Sequence, residues 1–146
     1  MSDGFAVLEQ HIANLRRMST FVRDAAPAIA VEMRRTIEAQ IAAGVGPDGT
    51  PWAPRKPTTR GRNVKRGGPV LVNAAKALEV KAEGTVIIAR LTGVEARHQL
   101  GAVRGGVKRP ILPDTRTGAA MPAPLARAIN TVLARRFAQT MGTRTT

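Results

Sequence analysis

Cysteine is absent from this chain, which excludes disulfides and thiolate metal sites. Aromatic residues are scarce: three Phe, one Trp and no Tyr. The 146 residues are enough for one domain with a modest core. Much of the apolar share is alanine, so the core is thin, and part of the stability is expected to come from a partner subunit. No apolar run approaches the roughly 18 residues of a membrane span. Asp3 and Glu9 stand near the start without a long apolar run, which argues against a signal peptide. The expectation is a soluble product of the cytoplasm with no membrane partner.

Catalytic material is equally sparse. The chain has two His and ten acids, and serine is nearly absent. Catalysis needs converging groups, such as a nucleophile with its base or paired carboxylates. His11 has no second His, Asp or Glu at ligand spacing, and packing or surface exposure is its simpler role. Glu95 and His98 are three apart. On an extended strand they face opposite sides, on a helix they are neighbours, and in either case a third member is missing. Gly67-Gly68 and Gly105-Gly106 lack the GxxxxGK[ST] pattern of a phosphate-binding loop. The expectation is a non-enzymatic protein with no catalytic residue, cofactor or metal site.

What the chain has in excess is positive charge: 23 Lys and Arg against ten acids, a net +13. Such a surface attracts polyanions, nucleic-acid phosphate above all. The plain alternative is solubility, or a surface facing an acidic protein.

Residues 4–22 read as a helix, with Phe5, Leu8, Ile12 and Leu15 on one stripe and Arg16 and Arg17 near its end. Asp24 is a candidate cap for a second helix with Pro27 in its first turn. Ile29, Met33, Ile37 and Ile41 form its stripe and Gly44 closes it; a nearly continuous helix bent near Pro27 is the alternative. Residues 44–69 hold half of the ten prolines, which excludes helix or central strand. Pro47-Asp48-Gly49 is a turn. Trp52 either pins this loop to the core or anchors a partner. Arg55, Lys56, Arg60, Arg62, Lys65 and Arg66 make the loop basic: a mobile solvated segment, or a contact arm that orders on assembly.

Val70-Leu71-Val72 is a short strand or the lead into a turn, and residues 73–78 make one helical turn. Residues 78–83 alternate apolar with charged and reverse at Glu83-Gly84 into 85–91, an antiparallel hairpin. Residues 94–100 are expected to add a further strand or extended edge, with His98 and Gln99 bonding backbone to tie the next loop to the sheet. Residues 101–123 form a second loop carrying Arg104, Lys108, Arg109 and Arg116. Pro124 opens a last helix with Leu125, Ile129, Val132, Leu133 and Phe137 on one face. The expected fold is α+β: N-terminal helices and a C-terminal helix on a small, mostly antiparallel sheet, as one domain over 1–139 with a disordered tail at 140–146.

Two motifs carry a resemblance. One is residues 46–56, Gly-Pro-Asp-Gly-Thr-Pro-Trp-Ala-Pro-Arg-Lys, directly after a helix. The other is residues 96–101, Ala-Arg-His-Gln-Leu-Gly, followed by Arg109-Pro110-Ile111-Leu112-Pro113. With Leu71–Leu78 between them, their order resembles the tailed-phage virion morphogenesis, or tail completion, family of Mu-like phages and prophages. The likeness covers about residues 27–115. Glu95 replaces the usual aromatic before the HQ motif, Leu100 stands where Phe is common, and Leu112-Pro113-Asp114-Thr115-Arg116 replaces a P-x-R-x-F ending.

The resemblance implies a structural virion part. Such a protein forms a homo-oligomeric ring at the head-proximal end of the tail or in the neck, docked between connector and tail proteins. Trp52, Arg55, Lys56, His98, Gln99 and Gly101 are then structural or interaction residues. Arg60, Arg62, Lys65, Arg66, Arg104, Lys108 and Arg109 are candidate contacts to DNA in the channel or to a neighbouring subunit. The alternatives are a free nucleic-acid-binding protein and a transient assembly factor.

Overall fold

The computed structural model describes residues 3–54, 70–71, 73–103, 106–113 and 120–142. In chain order the elements are α1 (Asp3–Ala43), α2 (Ala74–Ala77), β1 (Leu78–Glu83), β2 (Val86–Leu91), α3 (Gly93–Leu100) and α4 (Ala123–Met141). The architecture is α+β. A long N-terminal helix and the C-terminal helix pack with a two-stranded antiparallel sheet.

The two N-terminal helices of the sequence reading are one helix of 41 residues, about 60 Å long. Asp24 is therefore no cap, and Arg16 and Arg17 lie in the helix body rather than at its end. Pro27 sits inside the helix, where it supplies no N–H to the Arg23 carbonyl. Tertiary packing overrides that break: Ala25, Ala26, Ile29 and Ala30 on either side are all buried. Pro27 itself faces solvent. Pro27→Ala should therefore stabilise the fold by about 1–3 kcal/mol, raising the melting temperature by several degrees in calorimetry. A lower melting temperature would show that the proline sets a bend the packing needs.

Gly44 ends α1 in the left-handed region at φ 69°. Its N–H donates to Ile41 O at 3.1 Å and the Val45 N–H to Gln40 O at 3.0 Å, the paired bonds of a Schellman cap.

The core lies along the C-terminal half of α1. Ile37, Ile41, Leu71, Ala74, Leu78, Ile111 and Leu125 form one buried cluster, flanked by Met33, Trp52 and Leu112. Ala25, Ile29 and Val132 form a second, flanked by Ile87, Ile129 and Leu133. Helix α4 runs antiparallel to α1: Leu125 meets the Ile37 end, Val132 meets Ala25, and the Phe137 ring meets Phe21 edge-on at 6.0 Å. Among the described residues the largest side chains buried almost completely are Ile37, Ile111 and Leu125, each contributing about 1.5–3 kcal/mol. Helix α4 runs on to Met141 with Gly142 as its left-handed cap, so residues 140–142 are ordered helix end where a tail was expected. Residues 143–146 lie outside the described residues.

The hairpin forms where the alternation places it. Leu78 pairs with Leu91, Val80 with Ala89 and Ala82 with Ile87, and the reversal is Gly84-Thr85 with Gly84 at φ 63°. Leu71, a non-glycine residue at φ 61°, sits in a turn with Val70, so these two residues are no strand, and Val72 lies outside the described residues.

The expected strand at 94–100 is a helix, α3. Thr92 stands at its N-cap in an extended conformation, Glu95 lies in the first turn, and Arg97 and His98 lie in the last. The Glu95 and Arg97 charges complement the helix dipole, and Gly101 closes the helix at φ 72°. Thr-x-x-Glu followed by a glycine is a start-and-stop signal of a helix, and it stands directly after a run of β-formers. The Thr92 side chain makes no cap bond; its N–H donates to Ala77 O at 3.1 Å and joins α3 to the start of the hairpin.

Candidate functional site

The loop after α1 folds back on itself before it reaches the tryptophan. Gly46 N–H donates to Thr50 O at 2.8 Å, Gly49 N–H to Gly46 O at 2.9 Å and Trp52 N–H to Gly44 O at 2.9 Å. Val45 and Pro51 are bridged antiparallel. Gly49, at φ 85°, takes the conformation that Pro-Asp-Gly predicts. The Gln40 side-chain amide donates to Pro47 O at 3.1 Å and ties the turn to the last turn of α1.

Asp48 organises the turn. Its Oδ1 accepts from the Thr50 N–H at 3.0 Å and its Oδ2 from the Thr50 hydroxyl at 2.8 Å. Both bonds favour the charged carboxylate, the backbone bond most, and hold its pKa below the usual Asp value. A depressed carboxylate stabilises the folded turn above the ordinary Asp range. That contribution falls away as pH drops through the lowered value. The turn should keep its neutral-pH conformation through the ordinary Asp range and loosen only below it. Trp52 fluorescence, followed across an acid titration, should report this change, and Asp48→Asn, whose amide does not titrate, should abolish it.

Three segments meet around Trp52. The indole N–H donates to Pro110 O at 2.9 Å, across 58 residues of sequence. The ring packs half-buried against the main core cluster. Returning across the same junction, the Arg109 guanidinium donates from Nε to Ala53 O at 2.9 Å and from Nη2 to Pro54 O at 3.2 Å. The Arg109 N–H donates to His98 O at 3.0 Å, joining the end of α3. Gln99 completes the lock. Its Oε1 accepts from the N–H groups of Ile111 at 2.6 Å and Leu112 at 2.8 Å, and its Nε2 donates to Leu112 O at 2.7 Å. The side-chain amide thus pairs with the 111–112 backbone much as a neighbouring strand would.

Gly101 permits the turn out of α3. Its N–H donates to His98 O and the Ala102 N–H to Arg97 O, a second Schellman cap. Gly46 permits close approach: a Cβ there would stand 3.2 Å from Asp48 Oδ1 and 3.5 Å from Pro110.

The structure therefore brings Trp52, His98, Gln99 and Gly101 into one interlock with the 109–112 segment. It moves Arg109 out of the set of DNA or subunit contacts. Arg109 is 6% exposed and its guanidinium is spent on two carbonyls of its own chain, so it is a brace for the loop. Lys108 is exposed beside it. Arg55, Lys56, Arg60, Arg62, Lys65, Arg66 and Arg104 lie outside the described residues. The sequence reading missed Gln40, Gly46, Pro110 and the Ala53 and Pro54 carbonyls. Asp-x-Thr after a proline signalled the Asp48 turn, but no local pattern announces a carbonyl acceptor more than 50 residues away.

Among the described residues no group of three or more His, Cys, Asp and Glu could hold a metal ion, and no helix is long and apolar enough to cross a membrane. What the arrangement does chemically is fix backbone to backbone: polar side chains join the loop that ends at Pro54 to the 109–112 segment.

None of the curated proteins and none of the solved structures matches the chain closely enough to add to this picture. The model of one protein family does match, that of the phage virion morphogenesis family, over residues 4–124. That span contains α1 except Asp3, the hairpin, α3 and every residue of the interlock. A match of that extent, covering the residues that lock the fold, shows that the chain belongs to the phage virion morphogenesis family.

Proposed function

We propose that this protein is a tail completion or neck component of a tailed phage, which acts by assembling as a ring at the head–tail junction and docking between connector and tail. Membership of the virion morphogenesis family supports the general role. The observation that carries the finer reading is the interlock. Trp52 and Arg109 clamp segments 55–58 residues apart in sequence, Gln99 adds bonds across 12–13 residues, and the clamp holds Ala53 and Pro54, which immediately precede the basic segment 55–69 in sequence. A rigid root is what a docking arm needs, since ordering the root beforehand lowers the entropy cost of binding. A ring protomer also tolerates a thin core, because neighbours cover part of its surface.

The test is loss of the gene followed by electron microscopy and proteomics of the particles. The expected result is full heads and finished tails that fail to join, and wild-type particles carrying this protein at the junction. Wild-type particles without the protein would overturn the reading and favour a transient assembly factor.

The net charge of +13 favours one further reading, a protein that binds nucleic acid in its own right. It requires tight DNA binding by the isolated chain with a steep salt dependence. Binding that vanishes at about 150 mM salt would remove it.

A further inference from the structure

The first half of α1 carries an apolar stripe that nothing else among the described residues covers. Leu8, Ile12, Leu15, Met18 and Val22 are exposed by 54, 42, 67, 49 and 53%. The stripe continues the helix face that Ala26, Ile29, Met33 and Ile37 bury further along, and intramolecular cover begins only at Phe21 and Ala25. We propose that this stripe is a self-association surface, covered by the same segment of a second copy of the chain running antiparallel, with the two-fold axis at Leu15.

Three observations select a second copy. The first is spacing. The steps along 8, 12, 15, 18 and 22 are four, three, three and four, a palindrome centred on Leu15. An antiparallel copy sets Leu8 against Val22, Ile12 against Met18 and Leu15 against Leu15. The mean step of about 3.5 residues is that of helices packed side by side at a shallow angle. The second is charge. Residues 1–24 hold three acids (Asp3, Glu9, Asp24) and three arginines (Arg16, Arg17, Arg23), so the whole net charge of +13 lies beyond residue 24. This neutral end is where two copies of a strongly basic chain approach without repulsion.

The third is area. The stripe runs for about 21 Å. Half-exposed side chains of this size cover on the order of 500 Å² on each copy, a total near the lower bound of a specific interface. A reversible micromolar dimer fits that size, whereas an obligate one needs more.

A two-fold contact makes a dimer and by itself no ring, so the inference stands apart from the junction reading. Particle localisation tests that reading, and solution mass tests this one.

The experiment is light scattering on the eluting full-length chain at about 5–100 µM, with engineered cysteines as a second measurement. The wild type should run as a dimer at the upper concentrations and persist at 500 mM salt, because the contact is apolar. Leu15→Glu sets two carboxylates together at the axis and should weaken association at least 100-fold. At concentrations where the wild type is a monomer its helix content and melting temperature should match those of the wild type, since Leu15 lies outside the core. Because the chain has no native cysteine, oxidation reports orientation cleanly. Leu15→Cys should cross-link to itself, Leu8→Cys should not, and an equimolar mixture of Leu8→Cys and Val22→Cys should. A monomer at every concentration, an unaltered dimer in Leu15→Glu, or self-cross-linking of Leu8→Cys as fast as Leu15→Cys would each overturn the proposal.

Discussion

Trp52→Ala should lower stability by about 3–4 kcal/mol, a fall in melting temperature of roughly 10 °C for a chain of this size. Two effects add. The indole packs against the main core cluster, so its removal leaves a cavity there. Its N–H also satisfies Pro110 O, which would then lack that donor. Trp52→Phe separates the two: it keeps most of the packing and loses the bond, and should cost about 1–2 kcal/mol. Thermal unfolding of both variants decides the matter. Equal losses would mean that the hydrogen bond alone fixes the loop. Little loss in either would mean that the tryptophan serves a partner and not the core.

The second large effect is expected at Gln99. Gln99→Ala removes one donor and one doubly used acceptor, leaving two N–H groups and a carbonyl of residues 111–112 without their partners. At about 1 kcal/mol for each lost bond, and more where water cannot replace it, the loss is about 2–4 kcal/mol. Gln99→Glu is the informative control. A carboxylate still accepts from both N–H groups but sets negative charge against Leu112 O, which needs a donor. That variant should lose about 1–2 kcal/mol at neutral pH and recover stability below the ordinary Glu range, where the protonated acid donates again. Chemical denaturation at pH 7 and pH 4 measures the difference. A Gln99→Glu variant with no pH dependence would show that the amide donor contributes nothing.

These residues also show how far the sequence could be read. The hairpin was legible because Leu78 to Glu83 alternates and glycine follows, and both signals are local. The end of α1 was legible for the same reason, in Gly44. Helix α3 was misread because a β-rich run next to it outweighed Thr92, Glu95 and Gly101, three residues that state a short helix only when taken together. The unbroken α1 was offered only as an alternative, since Pro27 argues for a boundary until one knows that alanines on both sides of it are buried. In the interlock, the sequence showed that Trp52, His98 and Gln99 stand out. It did not show that Arg109, counted among the surface charges, turns inward onto Ala53 and Pro54. Charge reads the same on paper whether an arginine faces phosphate or its own backbone.

The single span of α1 has a dynamic consequence. One unbroken helix is supported by a core from Phe21 onward and, among the described residues, by bonds within the helix itself before that. In a dilute, unassociated chain, amide deuteration should split this helix into two kinetic zones. The first twenty residues would exchange within seconds through fraying, and the rest only through opening of the whole domain. The border would fall where Phe137 meets Phe21, and it should move toward residue 8 as the protein is concentrated.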